Sequence, residues 1–234
     1  SALRETGVGL SSILPLYRWS SPDEDERLAA VRYWKRAIAL AVELDCRTMN
    51  SELNGRPEQA ARSEAQFWRS METLLPIFER EGIALNIEAH PDDFVELNGP
   101  AVQLVRAIDS PSVGYVFCAP HTFHLGGGEA AMIREASVVL RQVHLADVFD
   151  HRASSGLRYI VNPPGSTARV HQHLDIGQGE VDWDALFGAL AEVDFDGILT
   201  SCVFAWEERA VESARFMLEE TRRRWAAATA DREP

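Results

Sequence analysis

Lysine is almost absent from this 234-residue chain: of its 23 basic residues only Lys35 is one, between Trp34 and Arg36 in a segment of helical period. Schiff-base catalysis needs a lysine in the pocket, so a lysine-dependent aldolase is excluded. Cysteine is scarce as well. Cys46, Cys118 and Cys202 form no CxxC pair and are too scattered for a disulfide framework or a structural zinc knot. No apolar run reaches the roughly 18 residues that cross a bilayer. The opening SALRETGVGL has no signal-peptide pattern, and a cytoplasmic location is expected. The formal net charge is −13, and the only basic run, Arg222-Arg223-Arg224, closes a long amphipathic segment where it suits a helix dipole. Nucleic-acid and membrane partners are therefore not expected. A GxGxxG turn is missing too, which argues against a doubly wound dinucleotide fold.

What is present is a hydrophobic content of 46%, enough to bury a core. Short β-branched or apolar runs alternate with longer segments of helical period. Strands are expected at about 7–14, 46–51, 83–88, 113–118, 138–145, 169–174 and 197–203. Helices are expected at about 23–44, 58–81, 92–108, 128–136, 182–193 and 207–227, with an irregular stretch over 148–170. Val31, Trp34, Ile38, Ala41 and Val42 fall on one face of the first helix, and Ser21 with Glu24 resembles a capping box around Pro22. Regular βα alternation implies a parallel sheet with right-handed crossovers, hence a (β/α) TIM-type barrel. Seven strands are one short of eight, and ALRETG reads as the last turn of a helix with Gly7 as C-cap, so a first βα unit is expected to be lacking. Residues 1–227 are read as a single domain and 228–234 as a flexible tail. An edge left open by an absent strand would invite a second copy of the chain, so a homo-oligomer is a further expectation.

In a parallel barrel the polar residues at the C-terminal strand ends face the site. Here they are Asn50 and Glu52 (NSELNG), Glu88 and His90 (NIEAHP), Cys118, His121 and His124 (FCAPHTFH), and His144 and Asp147 (VHLAD). His171 and His173 (VHQHL) and Cys202 (TSCVF) complete the set. Each has a plainer reading. On it Glu88 serves only as a helix cap, His144 as a satisfied core histidine, and both cysteines as buried apolar residues. His171 and His173 share one face of a strand, as paired ligands would. Gly126-Gly127-Gly128 before a helix would receive a phosphate or simply turn the chain. Arg152, Arg158 and Arg169 would anchor a phosphate or carboxylate, or form a solvated loop. Taken together, one glutamate and several histidines converging from separate strands form a divalent-metal pattern.

LNIEAHPDDF, VGYVFCAPHTFHLGG, QVHLADVFDHR, HLDIGQGEVDW and FDGILTSCVFAWEER, in this order, resemble the xylose-isomerase-like barrel superfamily of sugar-phosphate isomerases/epimerases and endonuclease IV. The resemblance runs from about Gly7 to Glu208. CVFAWEER and MNSELNGRPEQA look closest to the myo-inositol catabolism proteins of the IolH kind. The resemblance implies a divalent ion held by a glutamate, an aspartate, a histidine and a second glutamate. Those positions fall on Glu88, Cys118, His144 and Cys202, so two carboxylates are cysteines here. His121, His171 and His173 match a further zinc position of the endonuclease branch. The expected cofactor is a divalent metal, zinc or manganese, on Glu88 and His144 with Cys118, Cys202, His121, His171 or His173. The expected activity is metal-assisted proton transfer beside a carbonyl of a sugar, polyol or its phosphate, with Glu88 as base or ligand and Cys202 as a second group. Asn50, Glu52, His90, His124, Asp147, Arg152 and Arg169 are the expected substrate contacts. A hydrolase or nuclease on the same fold, and a barrel that binds a sugar or partner without turnover, are the rival readings.

Overall fold

The computed structural model describes residues 2–122, 128–149, 172–205 and 207–230. Their elements alternate as the periodicity predicts. A short α1 (Ala2–Thr6) ends at Gly7, whose φ of 68° is the left-handed geometry that a helix C-cap needs and glycine supplies without strain. Then follow α2 (Glu24–Glu43), β1 (Thr48–Glu52), α3 (Ala60–Glu81), β2 (Ala84–Glu88), α4 (Asn98–Ile108) and β3 (Val113–Cys118). The remainder is α5 (Ala119–Thr122), α6 (Glu129–Ala136), β4 (Leu140–Leu145), α7 (Trp183–Glu192), β5 (Ile198–Ser201) and α8 (Ala210–Thr229).

Five strands form among the described residues, where seven were expected. The run 7–14 contributes a single parallel bridge, Ile13 to Met49, and the described part of the run 169–174, residues 172–174, a single antiparallel bridge, Leu174 to Asp147. GVGLSSIL offers a β-like composition, but Gly7 and Gly9 add backbone freedom and no side chain to pack, and Val8, Leu10 and Leu14 remain exposed. The irregular stretch 150–170, the tail 231–234, His124, Gly126, Gly127, Arg152, Arg158, Arg169 and His171 lie outside the described residues. No described helix is long and apolar enough to cross a membrane.

The chain packs as two compact units. The first comprises Ser1–Glu88, Asp92–Val95 and Leu104–Gly114. Within it β1 and β2 pair in parallel, Asn50 opposite Asn86 and Glu52 opposite Glu88. Helices α2 and α3 carry Val31, Trp34, Ile38, Ala41, Phe67, Met71, Leu74 and Phe78 into its core, with Trp19 edge-on to Phe67. Val42, expected on the buried stripe, is exposed. It lies a full 100° around the helix from Ala41, which takes the inward place. Helix α2 is capped by Asp23, which accepts from the Glu26 amide at 2.9 Å, rather than by the Ser21/Glu24 box. Ser21 instead donates to the Glu26 carboxylate and accepts from the Asp23 amide at 3.1 Å. Glu24 is thereby free to grip Arg27 through both carboxylate oxygens, at 3.0 and 2.8 Å, and to accept from Gln66 at 2.9 Å. Arg27 is a buried guanidinium whose third contact is the Ser70 hydroxyl at 3.2 Å.

The second unit comprises Ala89–Pro91, Glu96–Gln103 and Tyr115–Pro234. Its strands run in the order β3-β4-β5, all parallel. Phe117 of β3, Val143 and Leu145 of β4, Ile133 of α6, and Leu186 and Phe187 of α7 are buried in its core.

The hydrogen bonds from Arg27 and Gln66 hold the Glu24 carboxyl down at about 2, from an ordinary 4.5. A lowered folded-state value means a contribution that is present above the unfolded value and lost as pH falls through the folded one. The Glu24→Gln variant should therefore lose stability relative to the parent at pH 7, and the difference should shrink between about pH 4.5 and pH 2. Urea midpoints of both proteins across that range provide the measurement, and a constant difference would contradict the assignment.

Candidate metal centre

The pairing of β3 with β4 contains a one-residue offset. Tyr115 stands opposite Leu140, but Val116 stands opposite Gln142, so Arg141 is an extra residue bulged out of the ladder. Strand side chains alternate faces, so a slip of one residue exchanges them. Without the bulge Cys118 would face Val143. With it Cys118 pairs with His144, and His144 in turn with Thr200 of β5. The bulged Arg141 carbonyl is accommodated by Gly197. A Cβ there would collide with that carbonyl and with the Phe195 ring, 2.6 Å from its Cζ.

Cys118 ends β3 and is buried, and one turn of α5 places His121 three residues later, back over the strand end. His173 arrives from a distant segment that two clamps hold. Its carbonyl accepts from the amides of Phe204 and Ala205 at 3.1 and 3.2 Å, and its neighbour Leu174 exchanges two backbone bonds with Asp147 at 2.8 and 2.9 Å. The Sγ of Cys118 and one ring nitrogen each of His121 and His173 lie within 4.8 Å of one another, all three residues being buried. Cys118 Sγ is 3.9 Å from His173 Nε2. A zinc ion at about 2.3 Å from a thiolate and about 2.0–2.1 Å from an imidazole, at tetrahedral angles, would hold those two atoms about 3.6 Å apart. The residues present therefore fit a soft divalent ion, with a few tenths of an ångström of closure.

His90 joins this cluster. Its ring meets His121 edge-on at 4.5 Å, His121 meets His173 at 5.3 Å, and His173 meets the half-exposed ring of Phe204 at 4.9 Å. His90 Nδ1 lies 2.6 Å from the Pro91 carbonyl, which only accepts, so Nδ1 is the donor there, and in the neutral ring Nε2 is then the acceptor. His144 is buried on the face of Cys118, and one of its ring nitrogens also lies within 4.8 Å of Cys118 Sγ. Cys202 lies one residue beyond β5, half-buried, its amide bonded to the Leu145 carbonyl at 3.0 Å, and it is not among the donors that converge.

Asp147, expected to meet substrate, is wholly buried with its carboxylate committed elsewhere. It accepts from the amides of Val148 (2.9 Å), Gly177 (2.7 Å) and Val181 (3.2 Å) and from the Trp183 indole (2.9 Å). Gly179 packs so closely that a Cβ would meet the Asp147 carboxylate and the Val148 backbone, the latter at 2.6 Å. In the first unit, Glu88 is buried at the end of β2 and Glu52 is half-buried opposite it. Asn50, also expected at substrate, bonds Ser12 at 3.3 Å and accepts from Asn86 at 3.4 Å. Sequence reasoning missed Gln142, a buried amide between His144 and Thr200; its even spacing from His144 was the available signal.

A sequence profile of the family described as xylose isomerase-like TIM barrel matches residues 1–220, and the chain belongs to that family. A search of curated proteins found no match. Among solved structures, the chain is similar to an IolI protein with a bound zinc atom, at 16% identity and a TM-score of 0.68, covering 94% of this chain and 77% of that one. It is similar to the D-psicose 3-epimerase of Clostridium cellulolyticum H10, solved with D-tagatose, at 16% identity and 0.73, covering 95% and 80%. The 3-keto-D-glucoside 4-epimerase YcjR of E. coli is a third, at 17% and 0.68, covering 93% and 82%. At these identities the likeness is one of fold.

The bulge makes a direct prediction. Gly197→Ala should destabilise the protein by about 1–3 kcal/mol, because the bulged carbonyl has no side-chain freedom with which to yield. Urea unfolding measures the loss, and an unchanged midpoint would show that β4 and β5 pair differently.

Proposed function

We propose that this protein is a metal-dependent isomerase or epimerase acting on a sugar, an inositol-derived polyol or its phosphate. The observation that carries the reading is the buried Cys118–His121–His173 donor set at the end of β3, in a family fold whose strand ends are the usual place for chemistry. The names of the similar structures, two of them sugar epimerases and one a zinc-containing IolI protein, support the reaction class and the metal. Inositol catabolism rests on the resemblance of the CVFAWEER and MNSELNGRPEQA segments.

When bound, the ion supplies Lewis-acid polarisation of a substrate carbonyl. The protein supplies the proton traffic. Glu88, which the family resemblance identifies as ligand or base, takes the proton from the carbon beside the carbonyl. The electron pair of that C–H bond becomes the C=C bond of an enediolate, and the carbonyl oxygen gains the negative charge. Returning the proton to the former carbonyl carbon, while the neighbouring hydroxyl gives up its proton and the former carbonyl oxygen gains one, completes an isomerisation. Epimerisation needs a donor on the opposite face of the original carbon. The position that the resemblance gives to a second carboxylate holds Cys202, so a one-base isomerisation suits these residues better. His90, with Nε2 as acceptor, is suited to take a hydroxyl proton from substrate.

The test is proton exchange. Protein loaded with zinc or manganese is incubated in D2O with ketoses, keto-inositols and their phosphates, and proton NMR follows deuterium entering the carbon beside the carbonyl. The reading expects exchange with at least one compound, lowered at least 100-fold in Glu88→Gln, since positioned general bases contribute about 10²–10⁴-fold. Exchange equal in the parent and the variant would remove Glu88 from the reaction. No exchange across the panel would favour a protein that binds without turnover.

A further inference from the structure

Gln142 is fully buried, and polar side chains so placed are retained where their hydrogen bonds do something specific. The bulge at Arg141 puts it on the face shared by Val116, Cys118, His144 and Thr200. Its Nε2 donates to the Thr200 hydroxyl at 2.9 Å and lies 3.3 Å from His144 Nε2. Its Oε1 is buried with no hydrogen-bond partner among the described residues.

Two ends of one amide thus compete for one imidazole nitrogen. A primary amide turned by half a revolution exchanges its NH2 and its oxygen, and the Thr200 hydroxyl, able to donate or accept, serves either end. The state of His144 Nε2 is what distinguishes the two orientations. A lone pair on Nε2 faces the NH2, and the ring proton is then on Nδ1. An Nε2–H faces Oε1, and Nδ1 then carries the lone pair. In the orientation observed the NH2 faces Nε2 and Oε1 is unsatisfied, so the half-turn is an available move.

We propose that Gln142 is a positioning residue for His144, holding the ring by Nε2 in either tautomer so that Nδ1 is the nitrogen that acts at the site. Histidines that bind metal almost always donate their other ring N–H to a fixed acceptor, and loss of such an acceptor weakens metal binding 10–100-fold. Gln142 differs from a carboxylate acceptor in also supporting the metal-free tautomer, which places the ring before an ion or substrate arrives. The inference rests on His144 acting at the site proposed above, but it concerns the ring's support and not the reaction.

The experiment is 15N NMR of the histidine rings in the parent, Gln142→Met and Gln142→Glu proteins, first metal-free and without substrate, with His144 assigned by comparison with His144→Gln. A parallel zinc titration gives the dissociation constant. The parent is expected to show His144 in one neutral tautomer, with the proton on Nδ1. Gln142→Met should show a mixture of tautomers and bind zinc about 10–100-fold more weakly. Gln142→Glu, whose carboxylate only accepts, should hold the Nε2–H tautomer and restore zinc affinity to within a few-fold of the parent. A single parental tautomer with unchanged affinity in Gln142→Met would overturn the inference. If Gln142→Met does not fold, Thr200→Val removes the hydroxyl that holds the same amide nitrogen in place. It should mix the His144 tautomers, and an unmixed parental spectrum would overturn the inference equally. Because the ring spectra need no turnover, an absent isomerase activity would leave this result standing.

Discussion

A single extra residue in β4 decides which chemistry the second unit presents. Parallel pairing forces paired residues onto one face, and the bulge at Arg141 brings Gln142 and His144 onto the face of Cys118 rather than leaving Val143 there. The cost is a carbonyl displaced toward β5, met by Gly197, the residue type without a Cβ. Everything else at the strand ends is arranged around that register. His144 meets Cys118, Thr200 meets His144, and Gln142 finds both His144 and Thr200 within reach.

The second constraint is the Asp147 carboxylate. A buried carboxylate needs several donors, and the loop between Leu174 and Trp183 provides three of the four, Gly177, Val181 and the Trp183 indole. The loop folds tightly over Asp147 because Gly179 has no side chain, and the antiparallel bridge to Leu174 sets His173 beside Cys118. Asp147 thus acts on the site at one remove, by fixing the segment that delivers His173. Local order at the cluster follows from the same cause, since His173 is held through backbone bonds on both sides of its chain.

Much of the fold was legible because helical period, caps and short apolar runs carry it. The helices fall within a few residues of expectation, except α4, which begins at Asn98 where residue 92 was expected, and Gly7 caps α1 as the motif ALRETG implies. Cys118 and His121 were legible as neighbours, since a strand end followed by one helical turn returns position i+3 to position i. The first strand was over-read, because β-like composition does not reveal whether a partner strand runs alongside. The capping box went to Asp23 because several adjacent polar residues, Ser21, Asp23 and Glu24, compete for the same amides. The bulge carries no local signature, so the register that brings Gln142 and His144 onto the face of Cys118 was not visible. Asp147 looked like a substrate contact because a carboxylate after a strand reads alike whether it faces solvent or backbone amides.

In the proposed metal centre a thiolate and imidazoles from β3, α5 and the segment at His173 share one ion. X-ray absorption at the zinc edge, on protein loaded with one equivalent of zinc, is the decisive measurement. One sulfur scatterer is expected at about 2.3 Å with nitrogen or oxygen neighbours at about 2.0–2.1 Å, the sulfur disappearing in Cys118→Ser. A shell of nitrogen and oxygen alone in the parent protein would contradict it.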